Sequence, residues 1–68
     1  MKDIYIAFYC GEDYYDSKLV EIFAYSKSVN RIIINKEAEY IRKDHNAKFV
    51  EWESVSKQEY YDFCRNTL

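Results

Sequence analysis

"IYIAFYCGEDYY", residues 4–15, begins as an alternating run and breaks off at a glycine. Ile4, Ile6, Phe8 and Cys10 fall on one side, and Tyr5, Ala7 and Tyr9 on the other. A period of two in β-branched and aromatic residues specifies a strand over residues 3–10, buried on at least one face. Gly11 ends it. Asp13 or Asp16 is then placed to cap a helix, and Glu12, Asp13 and Asp16 gather where a helix N-terminus favours negative charge. Tyr15, Leu19, Ile22, Phe23 and Ser26 follow helical spacing, so a helix is expected as far as Ser28.

Further along, "NRIIIN" at 30–35 reads as a second strand, its three isoleucines suited to burial on both faces. "EAEYIRKDHNAKFVEWES" at 37–54 reads as two more strands joined by a turn at Asp44, His45 and Asn46. "SKQE", Ser56 to Glu59, is a capping box. The helix it opens carries Tyr60, Tyr61, Cys64 and Leu68 on one stripe. The expectation is an α+β fold in a single domain spanning residues 1–68. Its sheet would have about four strands in the order β-α-β-β-β-α, with two helices packed against it.

Composition narrows the function classes. A chain of 68 residues buries only about 60% of its unfolded surface, and such a core rarely supplies more than about 3–5 kcal/mol. Almost half the residues are apolar or aromatic, which argues against disorder. No apolar run approaches the roughly 20 residues needed to cross a bilayer, so no membrane partner is expected. The N-terminal stretch lacks a cleavage pattern. Two cysteines without a secretion signal fit a reducing, cytoplasmic location with free thiols. Twelve acids against ten bases leave a net charge of −2 with the signs interleaved, which argues against a nucleic-acid partner. Zinc patterns, phosphate-binding glycine loops and dinucleotide fingerprints are absent from the sequence, so neither a cofactor nor a metal is expected.

Three segments carry a resemblance. "IAFYCGEDYYDSKLVEIF" is similar to a strand, a glycine turn and a helix of the form D-x-x-I-x-x-F/W, and "YSKSVNRIII" is similar to a segment S-x-Y-S-H-V-E-L-V that carries the next strand. "AKFVEWESVSKQEYYDFCRNTL" is similar to a strand of F-V-E/D type followed by a V-S-x-x-Q/E cap and a helix. Together they resemble the circularly permuted papain-fold (NlpC-like) hydrolases carried by bacteriophages and bacteria. That resemblance implies a cysteine thiolate activated by a histidine for amide or ester cleavage. The histidine position matches Asn30, which cannot take a proton, and the cysteine position falls in a segment beyond Leu68. The resemblance therefore implies a trimmed, non-catalytic relative.

Cys10 and Cys64 read as small apolar residues on a strand face and a helix stripe, and His45 as a solvated turn residue. The competing enzyme reading is a minimal cysteine hydrolase that pairs Cys10 or Cys64 with His45. Glu12, Asp13 and Asp16 lack the ligand pattern of a calcium loop. The eight tyrosines exceed what so small a core buries with every hydroxyl satisfied. Either codon composition in an AT-rich genome or an interface accounts for them. On the interface reading, Tyr14, Tyr15, Tyr60, Tyr61 and Trp52 are the binding residues. The function expected is a small phage-encoded, non-enzymatic protein that binds and modulates or inhibits a host or defence protein. A structural homodimer without catalytic role is the third reading.

Overall fold

The computed structural model of the chain describes residues 4–66. The strand expected from the opening alternation is β1 (Ile4–Gly11). A single 3₁₀ turn at Tyr14–Asp16 leads into β2 (Ser17–Tyr25), which pairs back antiparallel to β1. The chain then forms α1 (Arg31–Asp44), β3 (Phe49–Val55), also antiparallel to β1, and α2 (Lys57–Asn66). The sheet order is β2-β1-β3. Since β2 and β3 both oppose β1, they run parallel to each other, and α1 is the crossover that carries the chain past the central strand.

The result is a small α+β domain with an antiparallel sheet and two helices, but the sheet has three strands instead of about four, and the order is β-β-α-β-α. The helix expected from residue 16 to Ser28 is β2. Its apolar residues mimic helical spacing because they lie on both faces of the strand: Ile22 opposes Ala7, whereas Phe23 opposes Ile6. A β-bulge between Phe8 and Tyr9 further breaks the period of two. Residues 30–35 are not a strand but the start of α1, whose first turn is capped by the Asn30 side chain accepting from the Ile33 N–H at 3.0 Å. Of the three isoleucines, only Ile34 is buried; Ile32 and Ile33 are 65% and 52% exposed.

The turn at Asp44, His45 and Asn46 is present, but it stops a helix instead of joining two strands. Asn46 takes the left-handed conformation at φ 52°. Its N–H donates to the Lys43 carbonyl and the Ala47 N–H donates to the Arg42 carbonyl, a Schellman closure in which asparagine serves in place of glycine. Only the later of the two strands expected in 37–54 forms, as β3. The cap on α2 is as expected: Ser56 Oγ accepts from the Glu59 N–H at 3.1 Å. Of the expected α2 stripe, Tyr60 and Cys64 are half-buried and Tyr61 faces outward; Leu68 lies outside the described residues.

The even-numbered side of β1 meets α1. Ile6, Phe8 and Cys10 pack with Ile34, Ala38 and Ile41, a helical i, i+4, i+7 stripe, and Phe23, Val50 and Trp52 close the edges. The odd-numbered side meets α2, where the Tyr60 ring stacks on Tyr5 at 4.8 Å between centroids. One glycine is indispensable to the hairpin. A Cβ on Gly11 would lie 2.0 Å from the Asp16 carbonyl oxygen and 2.7 Å from Ser17 Cα, so backbone occupies the space and cannot swing aside. Gly11→Ala is expected to destabilise the fold by about 1–3 kcal/mol, lowering the thermal midpoint by roughly 4–8 °C per kcal/mol. Circular dichroism melts check this, with the exposed Glu12→Ala as a control expected to stay within about 0.5 kcal/mol.

Candidate functional site

The hairpin tip is built by one carboxylate. Asp13 accepts from the Tyr15 N–H at 2.9 Å and the Asp16 N–H at 3.0 Å. These bonds fix the 3₁₀ turn and hold Tyr14 and Tyr15 out at 65% and 94% exposure. Their rings meet edge to face at 5.7 Å, and Tyr14 also leans on Phe49 at 6.3 Å. Asp13 thus organises the turn and Glu12 pairs with Lys48 at 3.5 Å, and among the described residues no acid, cysteine or histidine cluster could hold a metal ion.

Beside the tip, on the α2 side of the sheet, lies a depression of about 340 Å³ whose walls include Tyr9, Tyr14, Ser17, Glu51 and Glu53. Glu51 and Glu53 are alternate residues of β3 and share this face. The Tyr9 hydroxyl donates to Glu53 Oε1 at 2.8 Å. The Ser17 hydroxyl lies 3.3 Å from the Tyr14 carbonyl and 3.2 Å from Glu51 Oε1. Burial pushes the Tyr9 phenol up to about 12, reinforced by the bond to Glu53 and by the negative charges of Glu53, Glu59 and Glu51. Tyr9, Ser17, Glu51 and Glu53 were not expected as site residues. The spacing E-x-E within an alternating strand is the signal that would have found the two carboxylates.

The residues expected to bind do not form one patch. Tyr14 and Tyr15 stand at the hairpin tip, whereas Tyr60 packs on Tyr5 near the opposite end of β1. Tyr61 is 50% exposed, with the Lys57 ammonium 5.7 Å from its ring. Trp52 is on the α1 side, where its indole N–H donates to Asn35 Oδ1 at 2.8 Å and the Arg31 guanidinium lies over its ring at 5.6 Å. It is committed to internal contacts.

Cys10 and His45 do line one shallow depression with Asp16 and Lys18. Cys10 is only 5% exposed, and burial pushes its thiol up, against the opposing pull of the Arg42 charge. His45 is exposed at the end of α1, where its backbone N–H donates to the Ile41 carbonyl at 3.0 Å. No hydrogen bond joins thiol to imidazole among the described residues. Cys64 belongs to α2, across the sheet from His45, and its thiol is hydrogen-bonded with the Tyr60 hydroxyl.

No family model, curated protein or solved structure matches the chain. Of the segments that resemble the papain-fold hydrolases, the first has the expected strand and glycine turn, and the third the expected strand and capped helix. The first segment's helix is a strand and the second segment's strand is a helix. No helix among the described residues is long and apolar enough to cross a membrane.

Two measurements check this chemistry. Tyr9 is neutral in the fold up to a higher pH than in the unfolded chain, so the stability it contributes is complete below pH 10 and is lost as the pH rises through about 12. Ultraviolet titration of tyrosinate should therefore show a late component that includes Tyr9, and Glu53→Gln should bring the Tyr9 step down by removing the negative charge on its acceptor. The Cys10 thiol should resist iodoacetamide at pH 7 in the native protein and react readily in guanidinium, as read by mass spectrometry of its peptide.

Proposed function

We propose that this chain is a non-catalytic cytoplasmic protein that binds another protein and modulates or inhibits it. The observation that carries the reading is the hairpin tip. Tyr14 and Tyr15 stand 65% and 94% exposed, yet a capped turn and edge-to-face contacts keep them in place. Rigid aromatics supply contact area at low entropic cost and are enriched among binding hot spots. The absence of activated thiol chemistry in the Cys10 depression supports a binding role, because a nucleophilic cysteine needs a lowered pKa or a base in contact. On the family resemblance, the chain belongs with phage-borne proteins and its target is a host or defence protein.

A self-associating reading rests on a different observation: among the described residues, both edge strands of the sheet, β2 and β3, are unpaired on their outer sides, and such edges can pair with a second copy. Both readings are tested together. Tagged protein is used to capture partners from bacterial lysate, alongside the Tyr14→Ala/Tyr15→Ala variant with matched circular dichroism. The expected outcome is one stoichiometric protein, its recovery reduced by about thirtyfold in the variant. Equal recovery by the variant overturns the tip as the binding element. A concentration-dependent dimer mass with no captured partner transfers the role to self-association.

A further inference from the structure

Among the described residues, α2 covers its side of the sheet at one end. α2 starts just past Val55, stacks Tyr60 on Tyr5 and continues towards β2, where Phe63 and Asn66 stand over a second depression floored by Ala7, Tyr9, Leu19 and Ile22. This depression holds about 280 Å³. It adjoins the depression beside the hairpin tip, since Tyr9 lines both. On the floor of the combined groove Leu19 is 41% exposed, whereas Ala7 and Ile22 are buried beneath it. Glu51 and Glu53 of β3 stand along it, as do Glu59 and Asp62 of α2. Asp62 is paired with Arg65. The salt bridges among the described residues leave Glu51, Glu53 and Glu59 uncompensated. The elevated Tyr9 phenol reports the same field, since all three of these carboxylates raise it.

A groove of this make-up discriminates by charge. An acidic or neutral segment would desolvate the carboxylates without compensating them. A guanidinium or ammonium group would instead donate charge-assisted hydrogen bonds to Glu51 and Glu53 and lie against the Tyr9 and Tyr14 rings. An apolar neighbour in the same segment would cover Leu19, the exposed apolar residue of the floor. We propose that the groove between α2 and the hairpin tip docks a segment of a protein partner in which arginine or lysine alternates with apolar residues. This inference rests on the reading of the chain as a protein-binding module and names the chemistry of its partner. The exposed outer side of α1, with Ile33, Lys36, Tyr40 and Lys43, is also basic and apolar. A second copy docking by that side would be a head-to-tail contact, which must either close into a ring or run on as an open filament; a separate partner needs neither and is the better occupant.

The test uses the whole ¹⁵N-labelled chain and three synthetic peptides: acetyl-Leu-Arg-Ile-Arg-Leu-amide, the same peptide with citrulline for arginine, and the same with glutamate for arginine. The arginine peptide is expected to shift the amides of Leu19, Glu51, Glu53 and Glu59. Its affinity should fall at least about tenfold with citrulline, and equally in Glu51→Gln/Glu53→Gln. The variant's unperturbed amide spectrum verifies its fold. Equal binding of the three peptides overturns the proposal, as do shifts that map to the outer side of α1. Broadening of the groove amides with protein concentration and no peptide assigns the groove to a second copy and also overturns it. The capture experiment with Tyr14→Ala/Tyr15→Ala is independent of these peptides. A tyrosine-dependent partner together with failed peptides sinks only the groove, whereas absence of any partner sinks the binding reading itself.

Discussion

The structure depends on one strand being buried on both faces. Ile6, Ala7 and Phe8 are 2%, 0% and 0% exposed, and consecutive residues of a strand point to opposite sides. Neither helix alone could produce that burial. β1 therefore requires a layer above and a layer below, which α1 and α2 supply. Antiparallel neighbours on both edges satisfy the backbone of β1. The flanking strands are left to satisfy one edge each with solvent.

How much of this could be read from the sequence follows from how local each signal is. β1 has clean alternation and a glycine stop, and α2 has a serine cap; both were legible because a few adjacent residues encode them. β2 was not. In "SKLVEIFAY", apolar side chains serve both faces of an amphipathic sheet whose two faces are each covered, and the bulge sets Val20 against the α1-side core. A two-sided strand with one extra residue has no period of its own, and helical spacing then appears by coincidence. The start of α1 failed for the complementary reason. "RIII" has strand propensity, but the deciding residues are Asn30 before it and the Ile34, Ala38, Ile41 stripe extending beyond it. Tertiary burial of that stripe outweighs the weak β preference of isoleucine, worth a fraction of about 1 kcal/mol.

The site was partly legible for the same reason. The exposed pair Tyr14 and Tyr15 was visible as an excess of aromatics at a turn. The groove was not, because Tyr9, Leu19, Glu51 and Glu59 come together only through strand pairing and the direction of α2, neither of which is local. Asn30, where the family resemblance sets a catalytic histidine, is occupied by a helix cap. The geometry there makes a different demand, a short side-chain acceptor for the Ile33 N–H.

The two faces of the sheet differ in a way that ties fold to function. On the α1 side, Phe8 is completely buried and meets Phe23 edge to face at 5.8 Å, while Ile34, Ala38 and Ile41 seat a 14-residue helix. On the α2 side, a ten-residue helix packs without one fully buried side chain. Stability is thus concentrated between β1 and α1, and the contacts of α2 include the Tyr60–Tyr5 ring stack and the Ser56 cap. Loosely packed elements open at lower free energy than the core that supports them. On the proposed docking reading, an extended segment would be admitted by a small displacement of α2, leaving the core across the sheet undisturbed. Glu51 and Glu53 stand on the strand and Glu59 and Asp62 on the helix, so the proposed charge recognition would stay in register if α2 shifted.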